Sequence, residues 1–517
     1  MRKWLVRSGI TILTIIIILA IWTAWHLRDR HPGYEINISV KEKAVPAQIL
    51  VGFSAKPITP VITDTWEDVN HDAKYNPKDG DIYHDNNHNG KFDAFWIAGF
   101  GNKRAANGVH DDVWARTVVI DDGHTRLAVV SLDAIGFRND DVIDIREHIP
   151  EDAGIDYAII SSTHDHESFD LLGIWGRSIL KSGVNKKQLQ VVKDQVVASI
   201  IEAAKNLRPA RLKIARNLKD AGELMMDTRE PVVMEPGLRL IQAIDTKTDS
   251  TLGVIVAWAN HAETLWSDNL YITSDFPHYV RDCIEKGVYN GDSLVKPGIG
   301  GTAVYINGEI GGLMTTRGSM PVKDPFRDTV YVEPTFDKAK AEGQRLALLA
   351  LSALEQPDTV IEKAGLSLRA KTITLPLDNK MFRLAVTLGV LDFGMTGWMH
   401  TRSEVAAFTL GPVSFLSVPG EIYPEIVNGG IEAPEGQDFD TAPVEVPPLR
   451  DLMPGKYKII IGLSNDEIGY IIPKSQWDVK PPFTYNSDKA PYGEENSLGP
   501  ETAPLLHKAF LEILKEL

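Results

Sequence analysis

The chain has 517 residues, 43% hydrophobic and 24% charged, enough for one large α/β domain or two to three ordinary ones and too apolar for extended disorder. Its net charge of −16 is spread along the sequence with no basic face, which excludes nucleic acid as a partner and predicts no strong pull towards anionic lipid. The single cysteine, Cys283, excludes an internal disulfide and a Cys-based metal site, so any metal must be held by His, carboxylate, Tyr or backbone oxygen.

Arg2, Lys3 and Arg7 precede an apolar run over residues 9–25. A helix needs roughly 17–25 apolar residues to cross a bilayer, and Trp22 and Trp25 sit where an interface would hold them. No small-x-small cleavage site follows in His26, Leu27, Arg28 and Asp29. Residues 1–30 therefore read as an uncleaved signal anchor, a transmembrane helix that exports the rest to the periplasm or cell surface. Residues 31–48 read as a short polar linker, and residues 49–517 as one large catalytic domain without internal repeats.

Within that domain, residues 64–93 are rich in oxygen ligands. Asp68, Asn70 and Asp72 alternate, and so do Asp85, Asn87 and Asn89 before Gly90 and Asp93. Alternating Asp and Asn ahead of a tight turn resembles a calcium loop, with Asp79, Asp81 and Asp93 available to close the shells. The alternative is a solvated polar insertion. Further along, β-branched runs predict strands over 117–120, 128–132, 157–161, 253–258, 304–306, 413–418 and 458–462. Helical spacing covers 187–206, 335–354 and 504–517. This alternation is the α/β signature, with mixed sheets flanked by helices.

Four of these strands end in metal-ligand residue types. The strand in DYAIISSTHDHESFD runs into Thr163, His164, Asp165 and His166, and side chains two apart on an extended chain share a face. GVIVAWANHAETL ends in His261, and VSFLSVPGEIYPEI in Glu421. YKIIIGLSNDEIGYIIP delivers Asn465, Asp466, Glu467 and Tyr470. Open α/β sheets bind ligands beyond their strand C-termini, so four such ends predict one shared cleft. Zinc accepts His nitrogen and carboxylate oxygen, and such a centre hydrolyses carbonyl compounds with an activated water.

The segments AGFGNKRAANGVHDDVWARTVVI, LAVVSLDAIGF, AIISSTHDHES, IVAWANHAETLWSDNLYITSD, YINGEIGG, SVPGEIYPEI, SNDEIGYIIP and YGEENSLGPET fall in the order of motifs of the neutral (non-lysosomal) ceramidases, which this chain resembles from residue 51 to the end. The resemblance implies zinc ligands at His164, His261, Glu421 and Tyr470, with Glu467 the fallback for the tyrosine. It implies His166 and Tyr492 beside the reacting atoms, His166 assisting the water and Tyr492 binding or stabilising the oxyanion. Asp165 is expected to orient a histidine. The family's NxGDVSP serine falls on Gly311, and its SGPGG segment is replaced by Glu167, Ser168 and Phe169. A C-terminal immunoglobulin-like domain is expected to be absent. The expected activity is zinc-dependent cleavage of an amide, with an N-acyl lipid or another small amide as substrate and calcium in a structural role. Two competitors remain: a metallo-β-lactamase-like hydrolase, whose signature Ser168 and Phe169 break, and a non-catalytic, calcium-stabilised envelope binding protein.

Overall fold

In the computed structural model, which describes residues 2–43, 45–312, 314–316 and 320–517, the β-branched runs form strands and the amphipathic stretches helices. The strands are β1 (Asn37–Val40), β2 (Leu50–Pro57), β3 (Trp114–Asp121), β4 (Arg126–Leu132), β5 (Tyr157–Ser162), β6 (Arg208–Asn217), β7 (Leu238–Asp245), β8 (Thr251–Ala257), β9 (Thr302–Ile306), β10 (Thr359–Ile361), β11 (Leu366–Pro376), β12 (His400–Leu410), β13 (Val413–Ser417) and β14 (Tyr457–Ile461). The helices are α1 (Arg2–His26), α2 (Asn139–His148), α3 (Lys186–Lys205), α4 (Asp275–Lys286), α5 (Phe336–Glu355), α6 (Lys380–Thr387) and α7 (Thr502–Glu516).

Among the described residues, one sheet has nine strands in the order β9-β8-β7-β6-β2-β3-β4-β5, with β10 against β6. A second has six, β1-β11-β12-β13-β14, with Met395–Gly397 against β12. The sheets pack face to face. Val118, Ile159, Ile255 and Val304 of the first meet Leu368, Phe408, Phe415 and Ile459 of the second. The outer face of the first sheet is covered by α3 and by α4 with α5, and α7 covers the second. The period of two explains how one strand serves two layers: Ile159 enters the core between the sheets, and its neighbour Ile160 packs under α3. Phe408 and Phe415 are register partners with rings stacked 4.2 Å apart. Phe408→Leu is expected to cost about 1 kcal/mol, read as a lower urea midpoint at unchanged slope.

Within the two large sheets, among the described residues, three adjacent strand pairs are parallel: β4 with β5, β8 with β9, and β13 with β14. Their C-terminal ends supply the functional residues described below. Helix α1 is apolar and long enough to cross a membrane. The stretch expected to be a linker is built into the fold, because Asn37–Val40 pairs antiparallel with β11 from Asn37↔Lys371 to Val40↔Leu368. Its partner lies more than 300 residues away, so nothing local marks it as a strand.

The 64–93 insertion contains an internal repeat, contrary to the expectation of none. Residues 64–76, DTWEDVNHDAKYN, and 81–93, DIYHDNNHNGKFD, take the same path. Thr65–Glu67 pairs antiparallel with Ile82–His84, centred on Trp66↔Tyr83. In each copy the first Asp of the loop accepts from main-chain N–H groups four and five residues on: Asp68 from Asp72 and Ala73, Asp85 from Asn89 and Gly90. His71 and His88 both have positive φ, at 58°. Each loop is held by the other copy. Asp64 accepts from the N–H groups of Asn86 and Asp93, and Asp81 from those of Val69 and Asn76. Trp66, Tyr75, Tyr83 and Phe92 pack between the copies as a small aromatic core.

Candidate metal centre

His164 follows β5 and His261 follows β8, and both rings are fixed by main-chain carbonyls. His164 Nδ1 donates to Ile135 O (2.7 Å) and His261 Nδ1 to Met314 O (2.8 Å). A carbonyl oxygen only accepts, so each Nδ1 carries a proton and each ring turns its Nε2 inward. Both Nε2 atoms point at one oxygen of Glu421, which lies just beyond β13. His261 Nε2 is 3.1 Å and His164 Nε2 3.4 Å from Oε2. The Tyr470 hydroxyl hydrogen-bonds the same carboxylate, and the two short strands Glu421–Ile422 and Tyr470–Ile471 pair in parallel to hold them together.

Burial pushes the His164 imidazole down to about 4, with Glu421 opposing only in part. Burial, followed by the neighbouring His164 and His261, holds His166 well below the ordinary range. His261 is also penalised by burial, but its bond to Glu421 and the charge of Glu263 outweigh this and raise it. His164 turns a bare Nε2 to the carboxylate, and His261 holds a proton towards it; a cation displacing that proton would meet two imidazole nitrogens, a carboxylate oxygen and a phenol oxygen at one point. That donor set fits a divalent cation.

His166 completes the cluster. The ligating nitrogens of His164, His166 and His261 lie within 4.8 Å of one another, so His166 can serve as a third nitrogen ligand or stand beside the metal. Both of its ring nitrogens are buried without a hydrogen-bond partner, although Nδ1 lies 3.4 Å from Glu263 Oε2. His166 and Tyr470 line both lobes of the cleft, as does Tyr492. One lobe is apolar, walled by Ile135, Leu172, Ile174, Trp175, Phe382 and Ile468. The other is walled by Phe100, Thr228, Glu263, Trp266 and Thr315. Tyr492 is half exposed, with its ring 6.1 Å from that of Tyr470. Burial comes first among the causes that push its phenol up to about 12.

Other expected residues lie differently. Asp165 does not touch a histidine: its Oδ1 accepts from Glu167 N (2.9 Å) and its Oδ2 is unpartnered. The strand ends at Ser162 and His164 has a φ of 59°, so the segment leaves extended geometry before Asp165, and the orienting role passes to the two carbonyls. Glu467 lines the apolar lobe with Oε2 unpartnered. Gly311 has no room for a side chain, because a Cβ there would lie 2.5 Å from Glu421 O and 2.4 Å from Tyr423 Cδ1. Asp68, Asn70, Asp72, Asp85, Asn87, Asn89 and Asp93 all fall in the duplicated hairpin, separate from the histidine cluster.

Sequence reasoning missed two residues. Glu263 stands two places after His261, a His-x-Glu spacing that flags a carboxylate on the same face. Asn307, just beyond β9, ties the strand ends together. Its amide donates to Thr163 O and Asn260 O (both 2.8 Å) and its oxygen accepts from Asn260 N (3.1 Å). Beneath it, Glu342 of α5 accepts from Thr264, Thr316 and the Asn260 amide. Burial, then the charge of Asp275, pushes this carboxyl from 4.5 up to about 8. It is protonated in the fold at neutral pH and ionised in the unfolded chain. Stability is therefore expected to fall as pH rises from about 4.5 to about 8 and to lose nothing further from this group above that. Glu342→Gln should flatten that part of the profile, measured by denaturation at stepped pH.

Neither family models nor curated proteins match the sequence. Solved structures do. The neutral ceramidase from Pseudomonas aeruginosa superposes with a TM-score of 0.63 at 14% identity, over 91% of this chain and 74% of that one. A ceramidase complexed with C2 gives 0.61 at 13% identity, over 90% and 75%. With two packed mixed sheets and three parallel strand pairs converging on a His/Glu/Tyr cluster, the chain has the fold of the neutral ceramidases.

Proposed function

We propose that residues 49–517 form a zinc-dependent amidohydrolase that cleaves an N-acyl lipid or a related amide, held at the outer face of a membrane by residues 1–30. The observation that carries this reading is the convergence of His164 Nε2 and His261 Nε2 on Glu421 Oε2. These three, with Tyr470, would hold the metal. When bound, zinc supplies a Lewis acid and lowers the pKa of water.

The chain's own residues supply the rest. The apolar lobe takes the acyl chain and brings its carbonyl to the cluster. His166, neutral and unpartnered, takes a proton from the attacking water at Nε2 and returns it to the leaving amine. Glu263 steadies the opposite ring edge of His166. Tyr492 donates its hydroxyl proton as a hydrogen bond to the developing oxyanion. No step requires a serine at position 311.

The two hairpin loops are read as structural calcium sites, through Asp68, Asn70 and Asp72 in one and Asp85, Asn87, Asn89 and Asp93 in the other.

The test is a hydrolysis panel of long- and short-chain N-acyl amides and matched esters, with metal analysis of the purified protein. Expected are bound zinc, preference for amides, loss of activity with a transition-metal chelator and recovery on adding zinc. Activity indifferent to the chelator, or no hydrolysis by zinc-loaded protein, would overturn the reading. Calcium is expected to raise the melting temperature without changing turnover.

A further inference from the structure

Helix α1 does not lead into a loose tether. Leu27 packs into the core beyond it. Asp29 pairs with Arg402 (2.7 Å), which also donates to His31 O (3.0 Å). Arg30 pairs with Asp392, and His31 Nε2 donates to Asp140 O (3.1 Å). The His26 ring lies against Gly389, where a Cβ would meet it at 2.3 Å. With the exit clamped from His26 to His31, the direction of α1 is fixed relative to the body. So is the plane of any bilayer that α1 spans.

Two elements beside that exit carry apolar side chains into solvent. On α6 and just past it, Met381, Leu384 and Leu388 form an i, i+3, i+7 stripe, with Met381 65% and Leu384 51% exposed. The other is the 173–184 loop, tipped by Ile179 (71%) and Leu180 (65%). Gly173 sits against Val390 O and Ser182, which keeps this loop next to the segment that holds His26.

Both elements also face inward. Phe382 of α6, and Ile174 and Trp175 of the loop, line the apolar lobe of the cleft. A second cavity, beside Trp25, His26 and Val390 but lined largely by charged side chains such as Arg30, Asp140 and Lys193, shares Arg138 and Leu172 with that lobe. Exposed Arg177, Lys181, Lys186 and Lys380 border the apolar tips, the arrangement of a segment lying in a headgroup layer.

We propose that α6 and the 173–184 loop are seated in the bilayer interface beside α1, so that the apolar lobe opens onto the leaflet and takes its acyl chain from the membrane that anchors the enzyme. Substrate delivery in this form rests on the amidohydrolase reading; the membrane seating does not.

The test uses the full chain in phosphatidylcholine vesicles containing lipids brominated on the acyl chain. An environment-sensitive fluorophore is attached at Leu384→Cys, Ile179→Cys or, as control, Leu294→Cys, an exposed site in the hairpin that follows the C-terminal end of α4. Cys283 is buried, with its thiol pushed up to about 12, and does not compete for label. Blue-shifted emission quenched by bromolipid is expected at 384 and 179 and not at 294. Labels at 384 and 179 that respond like the one at 294 would overturn the proposal.

The second arm is Met381→Asp with Leu384→Asp. Turnover of a long-chain amide in vesicles should drop about tenfold or more, with a soluble short-chain amide unaffected. An equal effect on both substrates, or none on either, counts against delivery from the bilayer. A wild-type chain that cleaves neither amide overturns the hydrolase reading alone, and the quenching still decides the seating.

Discussion

His261→Ala is expected to release the bound transition metal and to lower amide turnover by on the order of 10³-fold or more, equivalent to about 4 kcal/mol of barrier. His261 supplies one of the two Nε2 atoms that face Glu421, and the remaining imidazole of the cluster, His166, makes no hydrogen bond to that carboxylate. Glu263 is close in sequence, but its Oε1 accepts from Thr315 and its Oε2 faces His166. Truncation also leaves Glu421 without its shorter contact, so the remaining set of His164, Glu421 and Tyr470 binds metal weakly. The check is metal content and turnover on the same preparation, with circular dichroism to show an intact fold. Since the ring donates to Met314 O from a buried position, a modest loss of stability accompanies the change. Near-wild-type turnover in folded, metal-free protein would sink the site.

Gly311→Ser is expected to destabilise the protein by about 2 kcal/mol or more and to reduce activity. The resemblance to ceramidases pairs this position with a serine, and restoring the residue is the obvious attempt at a gain of function. The geometry predicts the opposite. A Cβ at 311 would meet the backbone of Glu421 and Ile422 at 2.5 Å, closer than real Cβ contacts come. Gly311 N also donates to Ile422 O (2.9 Å), so the two segments cannot separate without breaking that bond. Relief requires moving the backbone that carries the Glu421 carboxylate, so the metal site should loosen as the fold weakens. A lower denaturation midpoint together with weaker zinc retention is the expected pair. Unchanged stability would mean that this backbone is freer than its contacts imply.

The cleft was legible because candidate ligand residues stand at the ends of apolar strands, where a hydrophobic run stops at a polar residue. His164, His261 and Glu421 could each be read in that way and then grouped, whereas Tyr470 stands past the strand among Asn465, Asp466 and Glu467 and is singled out by the family resemblance. What holds them is another matter. The carbonyls of Ile135 and Met314 that set both imidazoles are backbone atoms and leave no trace in residue identity. Asn307 looks like a loop asparagine until the strands from which it ties Thr163 and Asn260 are seen side by side. Asp165 reads as a carboxylate between two histidines, yet the left-handed turn at His164, past the end of β5, takes the segment out of the extended geometry that such a reading assumes. The strand at Asn37–Val40 reads as linker because its pairing partner is remote. The repeat within 64–93 escaped notice because its copies share chemistry at matched positions more than identity, as in Trp66 with Tyr83 or Tyr75 with Phe92.

That hairpin has a consequence for how it forms. Asp64 lies in the first copy but closes the loop of the second, and Asp81 does the reverse. Neither half can reach its own final conformation alone, since the acid each loop needs is presented by the other strand. The segment should order in a single all-or-none step, and damage to one half should surface in the other. Asp64→Ala ought to free the amide protons of Asn86 and Asp93 to exchange, and the protection of Val69 and Asn76 should vanish with them although their own partner is untouched.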